Sequence, residues 1–94
     1  MEKNKHYFYV LECRDGSYYA GYTNNIEERV RKHNAGKGAK YTRAKRPVTL
    51  RYWEEYETKT EAMQAEYRFK QLKRADKEKV VDLGGKGNED TKEL

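Results

Sequence analysis

An Asp15-Gly16 pair separates two short stretches rich in aromatic and β-branched residues, and it constrains the fold more than any other feature of the sequence. Residues 6–13, HYFYVLEC, and residues 17–23, SYYAGYT, have the composition of β-strands. Asp-Gly between two such runs is a strong hairpin signal, because both residues tolerate the backbone conformations of a tight turn. The sequence therefore predicts an antiparallel hairpin.

The length of the turn decides which side chains share a face of this hairpin. A two-residue loop would put Tyr9 and Tyr19 on opposite faces. A three-residue loop, residues 14–16, would pair Tyr9 with Gly21 and put both tyrosines on one face, since a shift of one residue in register reverses every side chain. The longer loop, with Gly16 in a left-handed conformation, is a common hairpin. The residues alone allow either turn.

A helix, a basic loop and a third strand are predicted next. The stretch TNNIEERVRKHNAGKG is typical of a helix that Asn24 or Asn25 can cap and that Gly36 can end. The basic loop KGAKYTRAKR follows, and Pro47 closes it. VTLRYWEEY, residues 48–56, has the composition of a strand.

Two helices complete the predicted fold. Thr58 and Glu61 form a capping box that opens a helix extending to about Arg74, and DKEKVVDL indicates a shorter one. The order β-β-α-β-α-α predicts an α+β fold with a small three-stranded antiparallel sheet flanked by helices. Residues 1–83 are expected to form a single domain. Residues 84–94, which are polar and rich in glycine, are expected to form a disordered tail.

Composition excludes several classes of protein. The single cysteine, Cys13, cannot form an internal disulfide and is typical of a reducing compartment. The start of the chain has no apolar signal region, and no apolar run reaches the length of a membrane span. The sequence therefore predicts a cytoplasmic protein that does not bind membranes.

Positive charge is concentrated in the middle of a chain whose net charge is +5. Residues 29–53 contain nine Lys and Arg residues and no Asp or Glu. Such a block favours binding to a polyanion, because each cation near a phosphate can release condensed counterions. A solvated face that keeps the protein soluble is the alternative.

Charged side chains also occupy predicted apolar stripes. Arg29 and His33 share the i, i+3, i+4, i+7 stripe of the first helix with Ile26 and Val30. Glu66 lies on the apolar face of the second predicted helix, where a carboxylate is unfavourable unless it is paired or binds a metal. An Arg29–Glu66 ion pair with a purely structural role, and an ordinary helix-edge histidine, would also explain these positions.

In order and spacing these motifs resemble the GIY-YIG endonuclease superfamily, in particular its small stand-alone bacterial members. The two name motifs correspond to Tyr7-Phe8-Tyr9 and Tyr19-Ala20-Gly21. GYTNNIEERVRKHN then carries the family's arginine and histidine, GKGAKYTRAKRP matches a loop of the stand-alone branch, and TEAMQAEYRFKQLKR matches the helix with the family's glutamate. The resemblance covers roughly residues 6–83. It implies that both motif tyrosines lie in one site, which selects the three-residue turn.

The resemblance also implies roles for five residues in the hydrolysis of a phosphodiester. Tyr9 would be the general base that activates water, and Tyr19 would hydrogen-bond the water or the phosphate. Arg29 would bind the scissile phosphate through its planar guanidinium. His33 would relay a proton. Glu66 would hold one divalent ion, Mg²⁺ or Mn²⁺, with water and phosphate as the other ligands.

Contacts to nucleic acid are expected around this site, with DNA favoured over RNA. The residues expected to make them are Lys32, Lys37, Lys40, Tyr41, Arg43, Lys45, Arg46 and Lys70. The first name motif lacks its glycine and the second has alanine for isoleucine. Many relatives carry an asparagine on a later helix, but here no asparagine follows Glu66 before Asn88. That contact is either missing or replaced, with Lys70 or Lys73 as the candidate replacement.

The leading hypothesis is a metal-dependent endonuclease acting on structured or damaged DNA. A nucleic-acid-binding module without catalysis, for DNA or RNA, is the first alternative. The second is an interaction subunit of a larger nuclease or repair complex, in which a protein partner supplies targeting.

Overall fold

Three antiparallel strands form one sheet: β1 (His6–Glu12), β2 (Tyr18–Thr23) and β3 (Thr49–Tyr56). β1 is central, and the strand order is β2-β1-β3. The computed structural model describes residues 5–83. The predicted tail, residues 84–94, lies outside the described residues. The predicted α+β fold with a three-stranded antiparallel sheet flanked by helices is confirmed.

The turn between β1 and β2 has three residues, 14–16. The Cys13 N–H donates to the Ser17 carbonyl over 2.8 Å and closes the loop, and Gly16 has a φ of 87°. Only glycine adopts that left-handed conformation without a steric penalty. The Asp15 carboxylate accepts a hydrogen bond from the Ser17 N–H, which further fixes the turn.

This turn sets the register of the hairpin. Tyr9 pairs with Gly21, and Leu11 pairs with Tyr19. Because side chains alternate along a strand, Tyr9, Leu11 and Tyr19 all lie on one face of the sheet. The three-residue turn that the family resemblance selects is therefore confirmed.

In the described part of the chain four helices flank the sheet: α1 (Ile26–Asn34), α2 (Lys40–Arg43), α3 (Lys59–Lys70) and α4 (Arg74–Asp82). The side chains of Asn25 and Thr58 cap α1 and α3, each by accepting a backbone N–H three residues later. Within residues 5–83 no helix has both the length and the apolar character needed to cross a bilayer.

Two details differ from the sequence prediction. The basic loop contains the one-turn helix α2, in which the N–H groups of Thr42 and Arg43 both donate to the Ala39 carbonyl. A single turn is not stable in isolation, so its contacts with α1 must support it. In addition α3 ends at Lys70 rather than near Arg74, and α4 begins at Arg74, which brings the buried Val81 against the sheet.

The helices form separate layers on the two faces of the sheet. α3 and α4 cover one face, where the core contains Phe8, Val10, Ala20, Tyr52, Ala65, Phe69 and Val81. α1 covers the other face, where Val30 packs against Tyr9, Leu11 and their neighbours. The candidate catalytic residues of α1 and α3 therefore reach the sheet from opposite sides.

Candidate active site

His33 lies at the centre of a polar cluster between α1 and the sheet. Its side chain is fully buried, at 0% exposed, and the Nε of Arg29 on the same helix is also buried. The predicted stripe of α1 therefore faces the sheet. The alternative in which His33 is an ordinary helix-edge residue is wrong, because its ring is enclosed and hydrogen-bonded at both nitrogens.

Tyr9 reaches this cluster from the central strand. The residue is 1% exposed, and its hydroxyl lies 3.0 Å from Nε2 of His33. The opposing Gly21 leaves space for the ring, since a Cβ there would lie 2.6 Å from the Tyr9 hydroxyl oxygen. Gly21 is thus required for the close approach of the β2 backbone to Tyr9.

Thr42 of α2 contacts the other side of the imidazole. Its Oγ1 lies 2.8 Å from Nδ1 of His33 and 3.1 Å from the carbonyl oxygen of Ala39. A continuous series of hydrogen bonds therefore extends from the α2 backbone through Thr42 and His33 to Tyr9.

The electrostatics keep both Tyr9 and His33 neutral. Burial raises the pKa of Tyr9 above its ordinary value, although the Arg29 guanidinium beside the hydroxyl partly lowers it. Burial lowers the pKa of His33 from 6.5 to about 4, and the positive charge of Arg29 contributes to this shift. At neutral pH the pair is therefore a phenol hydrogen-bonded to an uncharged imidazole.

Arg29 forms no ion pair with a carboxylate among residues 5–83. Among residues 5–83 its Nε is the single buried side-chain nitrogen or oxygen without a hydrogen-bond partner. No ion pair connects Arg29 to Glu66 within the described part of the chain, so the structural ion pair considered from the sequence is not formed. A desolvated, uncompensated cation favours the binding of an anion at this position.

Glu66 approaches the site from α3. Its side chain is 21% exposed, and its carboxylate forms an i, i+4 ion pair with the Lys70 ammonium at 2.7 Å. Its negative charge contributes to the raised pKa of Tyr9, which places it within electrostatic reach of the cluster.

A divalent metal could use Glu66 only as a single protein carboxylate. The described residues contain no group of three or more His, Cys, Asp or Glu side chains that could enclose a metal. Mg²⁺ commonly keeps several waters and binds one or two carboxylates together with substrate phosphates, so a lone carboxylate beside an anion site fits this ion. Glu66 is the residue that would hold it.

Tyr19 and Tyr41 extend the cluster towards solvent. The Tyr19 ring lies 5.2 Å from the His33 ring and stacks on Tyr41 at 6.0 Å. Tyr41 is 44% exposed, and the Lys45 ammonium lies 4.3 Å from its ring centre while also pairing with Asp15 at 3.0 Å. An aromatic surface therefore leads from the buried histidine to the protein exterior.

A shallow hollow connects the two layers at the β2 edge of the sheet. It is lined by Tyr19 of β2, Tyr41 of α2, Lys70 of α3 and Lys77 of α4, among others. Residues from both faces of the sheet can therefore contact one ligand here.

The seven Lys and Arg residues predicted to contact nucleic acid fall into two groups. Four have partners within the protein: Lys32 pairs with Glu28, Lys45 with Asp15 and Lys70 with Glu66, and Arg46 donates to the backbone carbonyls of Asn34 and Arg43. In the described part of the chain no ion pair engages the other three cations, Lys37, Lys40 and Arg43. These three are the most available to a phosphate backbone.

Sequence reasoning missed Thr42 and Gly38. Thr42 is completely buried, at 0% exposed, although it lies within a basic, polar stretch. A Cβ on Gly38 would lie 2.3 Å from Nδ1 of His33, so the loop backbone packs directly against the ring. The two glycines of residues 36–38, GKG, are a signal that the backbone can pack closely against another group. Nothing in the sequence indicated that this group is the His33 ring.

Comparison with known proteins agrees with this architecture. Residues 5–79 match the family profile of the GIY-YIG catalytic domain. A UPF0213 protein of Bacillus cereus is 67% identical over 84 residues, which cover 89% of this chain and 88% of that protein. The UPF0213 protein YazA of Bacillus subtilis is 57% identical over 82 residues, covering 87% of this chain and 83% of that protein.

Two solved structures are also similar. The solution structure of a UPF0213 protein of Bacillus halodurans has a TM-score of 0.58 at 48% identity and covers 96% of each chain. A protein of E. faecalis has a TM-score of 0.59 at 50% identity, covering 87% of this chain and 88% of its own. With the motif tyrosines, Arg29 and His33 gathered on one face of the sheet and Glu66 approaching from α3, these matches establish that the chain belongs to the GIY-YIG catalytic domain family, within its UPF0213 group.

Proposed function

We propose that this protein is a metal-dependent endonuclease that hydrolyses phosphodiester bonds in DNA. The observation that carries the proposal is the uncompensated Arg29 guanidinium beside the Tyr9–His33 hydrogen bond. An anion bound by Arg29 would lie next to the Tyr9 hydroxyl, whose proton His33 can accept. The nuclease superfamily to which the domain belongs supports the same reaction class.

The proposed reaction begins with Arg29 holding the scissile phosphate through charge-assisted hydrogen bonds. A water oxygen attacks phosphorus while the water proton moves to the Tyr9 oxygen and the Tyr9 proton moves to Nε2 of His33. The bond from phosphorus to the leaving oxygen breaks, and that oxygen takes up a proton from solvent. The products are a phosphate monoester and an alcohol.

The transfer through Tyr9 explains how a tyrosine with a raised pKa can act as a base. A free phenolate is scarce at neutral pH when burial raises the pKa of Tyr9. A phenol that passes its proton to His33 as it accepts another never has to exist as a free phenolate. The negative charge of the bound phosphate favours the imidazolium at the moment it forms.

A divalent ion held by Glu66 would stabilise negative charge on the phosphoryl and leaving oxygens. In the free protein Lys70 occupies the Glu66 carboxylate at 2.7 Å. A metal ion at Glu66 would compete with Lys70 for this carboxylate, and Lys70 also lines the hollow beside Tyr19 and Tyr41. There it can contact a phosphate, consistent with its proposed role in nucleic-acid binding.

The DNA would lie along the β2 edge, with Tyr41 as a stacking surface and Lys37, Lys40 and Arg43 near the phosphates. Base–aromatic stacking suits single-stranded or unpaired segments, which structured or damaged DNA provides. A protein partner that supplies targeting remains part of the proposal.

Cleavage of labelled single-stranded, duplex, flap and branched DNA with Mg²⁺ or Mn²⁺ tests this function. We expect Glu66→Gln and Tyr9→Phe each to lower the cleavage rate on the order of 100-fold or more, because each removes a group that acts on the reacting atoms. Glu61→Gln on the exposed side of the same helix and Tyr67→Phe are the matched controls, and both should cleave like the wild type.

A non-catalytic binding module is the second candidate, and the basic block with the exposed Tyr41 favours it. It predicts tight, salt-sensitive binding of DNA or RNA without cleavage, unchanged by metal and by Glu66→Gln. That outcome would replace the nuclease proposal.

A further inference from the structure

Both nitrogens of the buried His33 ring have a hydrogen-bond partner, so the position of its proton can be deduced from the neighbours. Nε2 lies 3.0 Å from the Tyr9 hydroxyl, and Nδ1 lies 2.8 Å from Oγ1 of Thr42. A neutral imidazole carries one proton and therefore donates at one nitrogen and accepts at the other. Two tautomers have to be compared.

In the first tautomer the proton is on Nδ1 and every hydroxyl proton has an acceptor. Thr42 donates to the Ala39 carbonyl over 3.1 Å, as threonine hydroxyls in helices commonly do to a preceding turn. The Nδ1–H of His33 then donates to Oγ1 of Thr42, and the Tyr9 hydroxyl donates to Nε2.

In the second tautomer the proton is on Nε2 and points at the Tyr9 oxygen. The Tyr9 hydroxyl would then need another acceptor, although it is buried beside Arg29, which only donates. No other acceptor is within hydrogen-bond distance of it among residues 5–83. A buried hydrogen-bond donor without an acceptor is unfavourable, because the group loses its hydrogen bond to water and gains none in the protein, so the first tautomer is favoured.

From this comparison we infer that Thr42 is a positioning residue whose hydroxyl holds His33 in the Nδ1–H tautomer, with the Gly38 backbone fixing the plane of the ring. The Gly38 backbone packs directly against the ring, since a Cβ on Gly38 would lie 2.3 Å from Nδ1 of His33. The inference rests on the proposed function for its catalytic consequence. Only the Nδ1–H tautomer leaves Nε2 free to receive the proton of Tyr9, so Thr42 acts through His33 on the base.

The test begins with the tautomer itself, measured in the full chain by long-range ¹H–¹⁵N correlation of the histidine rings at pH 7. His33→Gln assigns the His33 signals by their disappearance. In the wild type we expect Nδ1 to be protonated and Nε2 to be unprotonated. A wild-type spectrum with the proton on Nε2 would overturn the inference, whether or not the protein cleaves DNA.

The second step compares two substitutions of Thr42. Thr42→Val keeps the shape and removes the hydroxyl, and it should shift His33 towards the Nε2–H tautomer. Thr42→Ser restores the hydroxyl and should restore the wild-type spectrum. Thr23→Val removes another buried threonine hydroxyl, one that bonds the backbone around Asn25, and should leave the tautomer unchanged. An unchanged His33 tautomer in Thr42→Val contradicts the inference. If Thr42→Val does not fold, Thr42→Ala serves in its place.

Kinetics then connect the tautomer to the proposed reaction. In Thr42→Val kcat should fall on the order of 10- to 100-fold with KM for DNA unchanged, the size typical of lost outer hydrogen bonds to functional histidines. Thr42→Ser should recover most of this loss. A wild type that never cleaves DNA would contradict the proposed function while leaving the tautomer result intact. A tautomer shift without any change in kcat would contradict only the catalytic consequence.

Discussion

His33 has an environment that makes its charge state a stability determinant. The ring is fully buried next to Arg29, and burial lowers its pKa to about 4 from an ordinary 6.5. Protonation is therefore easier in the unfolded chain than in the folded protein. By linkage, the contribution of His33 to stability is complete above pH 6.5 and is lost as the pH falls towards 4.

We expect the free energy of unfolding to decrease between pH 6.5 and pH 4 more steeply in the wild type than in His33→Gln. The difference between the two proteins should change by about 3 kcal/mol at most over this interval, from roughly 1.4 kcal/mol per unit of pKa shift. Urea unfolding at a series of pH values measures it.

His6→Gln provides the control, because His33 is still present in it and the steep slope should remain. Parallel pH profiles for the wild type and His33→Gln would show that His33 is not held neutral by the fold.

The β1–β2 hairpin is the element on which the site depends. Its three-residue turn places Tyr9 opposite Gly21 and Tyr19 on the same face, and Gly16 makes that turn possible with a φ of 87°. A turn shorter by one residue would point the two tyrosines to different layers of the molecule.

Gly16→Ala should destabilise the protein by about 1–2 kcal/mol, the strain of a side chain in the left-handed region. A Cβ at this position has no neighbour within 4 Å, so the loss reports backbone conformation rather than a clash. Gly16→Asn should lose less stability than Gly16→Ala, since asparagine tolerates the left-handed conformation better than alanine. Urea unfolding of the three proteins tests the prediction, which fails if alanine is as stable as glycine.

The layered arrangement explains how helices on opposite faces of the sheet can contribute to one candidate site. α1 brings Arg29 and His33 to one face of the sheet, and α3 carries Glu66 from the other. Because β2 is an edge strand, side chains from both layers meet beside it at the hollow that Tyr19 and Lys70 line. If another strand paired with the free edge of β2, it would keep the side chains of the two layers apart.

At the scale of the whole molecule, the net positive charge is concentrated on one segment, the basic block from residue 29 to residue 53, which has nine of the 21 Lys and Arg residues and none of the 16 Asp and Glu residues. Some of these cations already have partners within the protein, since Lys45 forms an ion pair with Asp15 and Arg46 donates hydrogen bonds to backbone carbonyls. The electrostatic contact with DNA should therefore come chiefly from Lys37, Lys40 and Arg43.

We expect the logarithm of the DNA affinity to fall linearly with the logarithm of salt concentration. Each of Lys37→Gln, Lys40→Gln and Arg43→Gln should reduce the magnitude of the slope by about one, as expected for the loss of one phosphate contact. Fluorescence anisotropy of labelled DNA at a series of salt concentrations measures this slope. Lys79→Gln, an exposed cation on α4, should keep the wild-type slope. Equal slopes in all four variants would place the DNA elsewhere on the surface.

The sequence by itself determined most of the elements and pointed to the residues of the candidate site. Local signals suffice for these features: Asp15-Gly16 for a turn, Asn25 and Thr58 for helix caps, and a 3.6-residue period for the face of α1 that carries Arg29 and His33. The short-range physics of hydrogen bonds and side-chain spacing acts within a few residues, so it can be read along the chain.

Only the tertiary structure decided how these parts meet. The turn length was open from the residues, and the partner of Glu66 proved to be Lys70 rather than Arg29. The role of Thr42 could not be predicted, because its contact with His33 joins two segments whose approach depends on the packing of a one-turn helix. Such contacts are set by long-range packing of the whole chain, which leaves no period or spacing in the sequence around either residue.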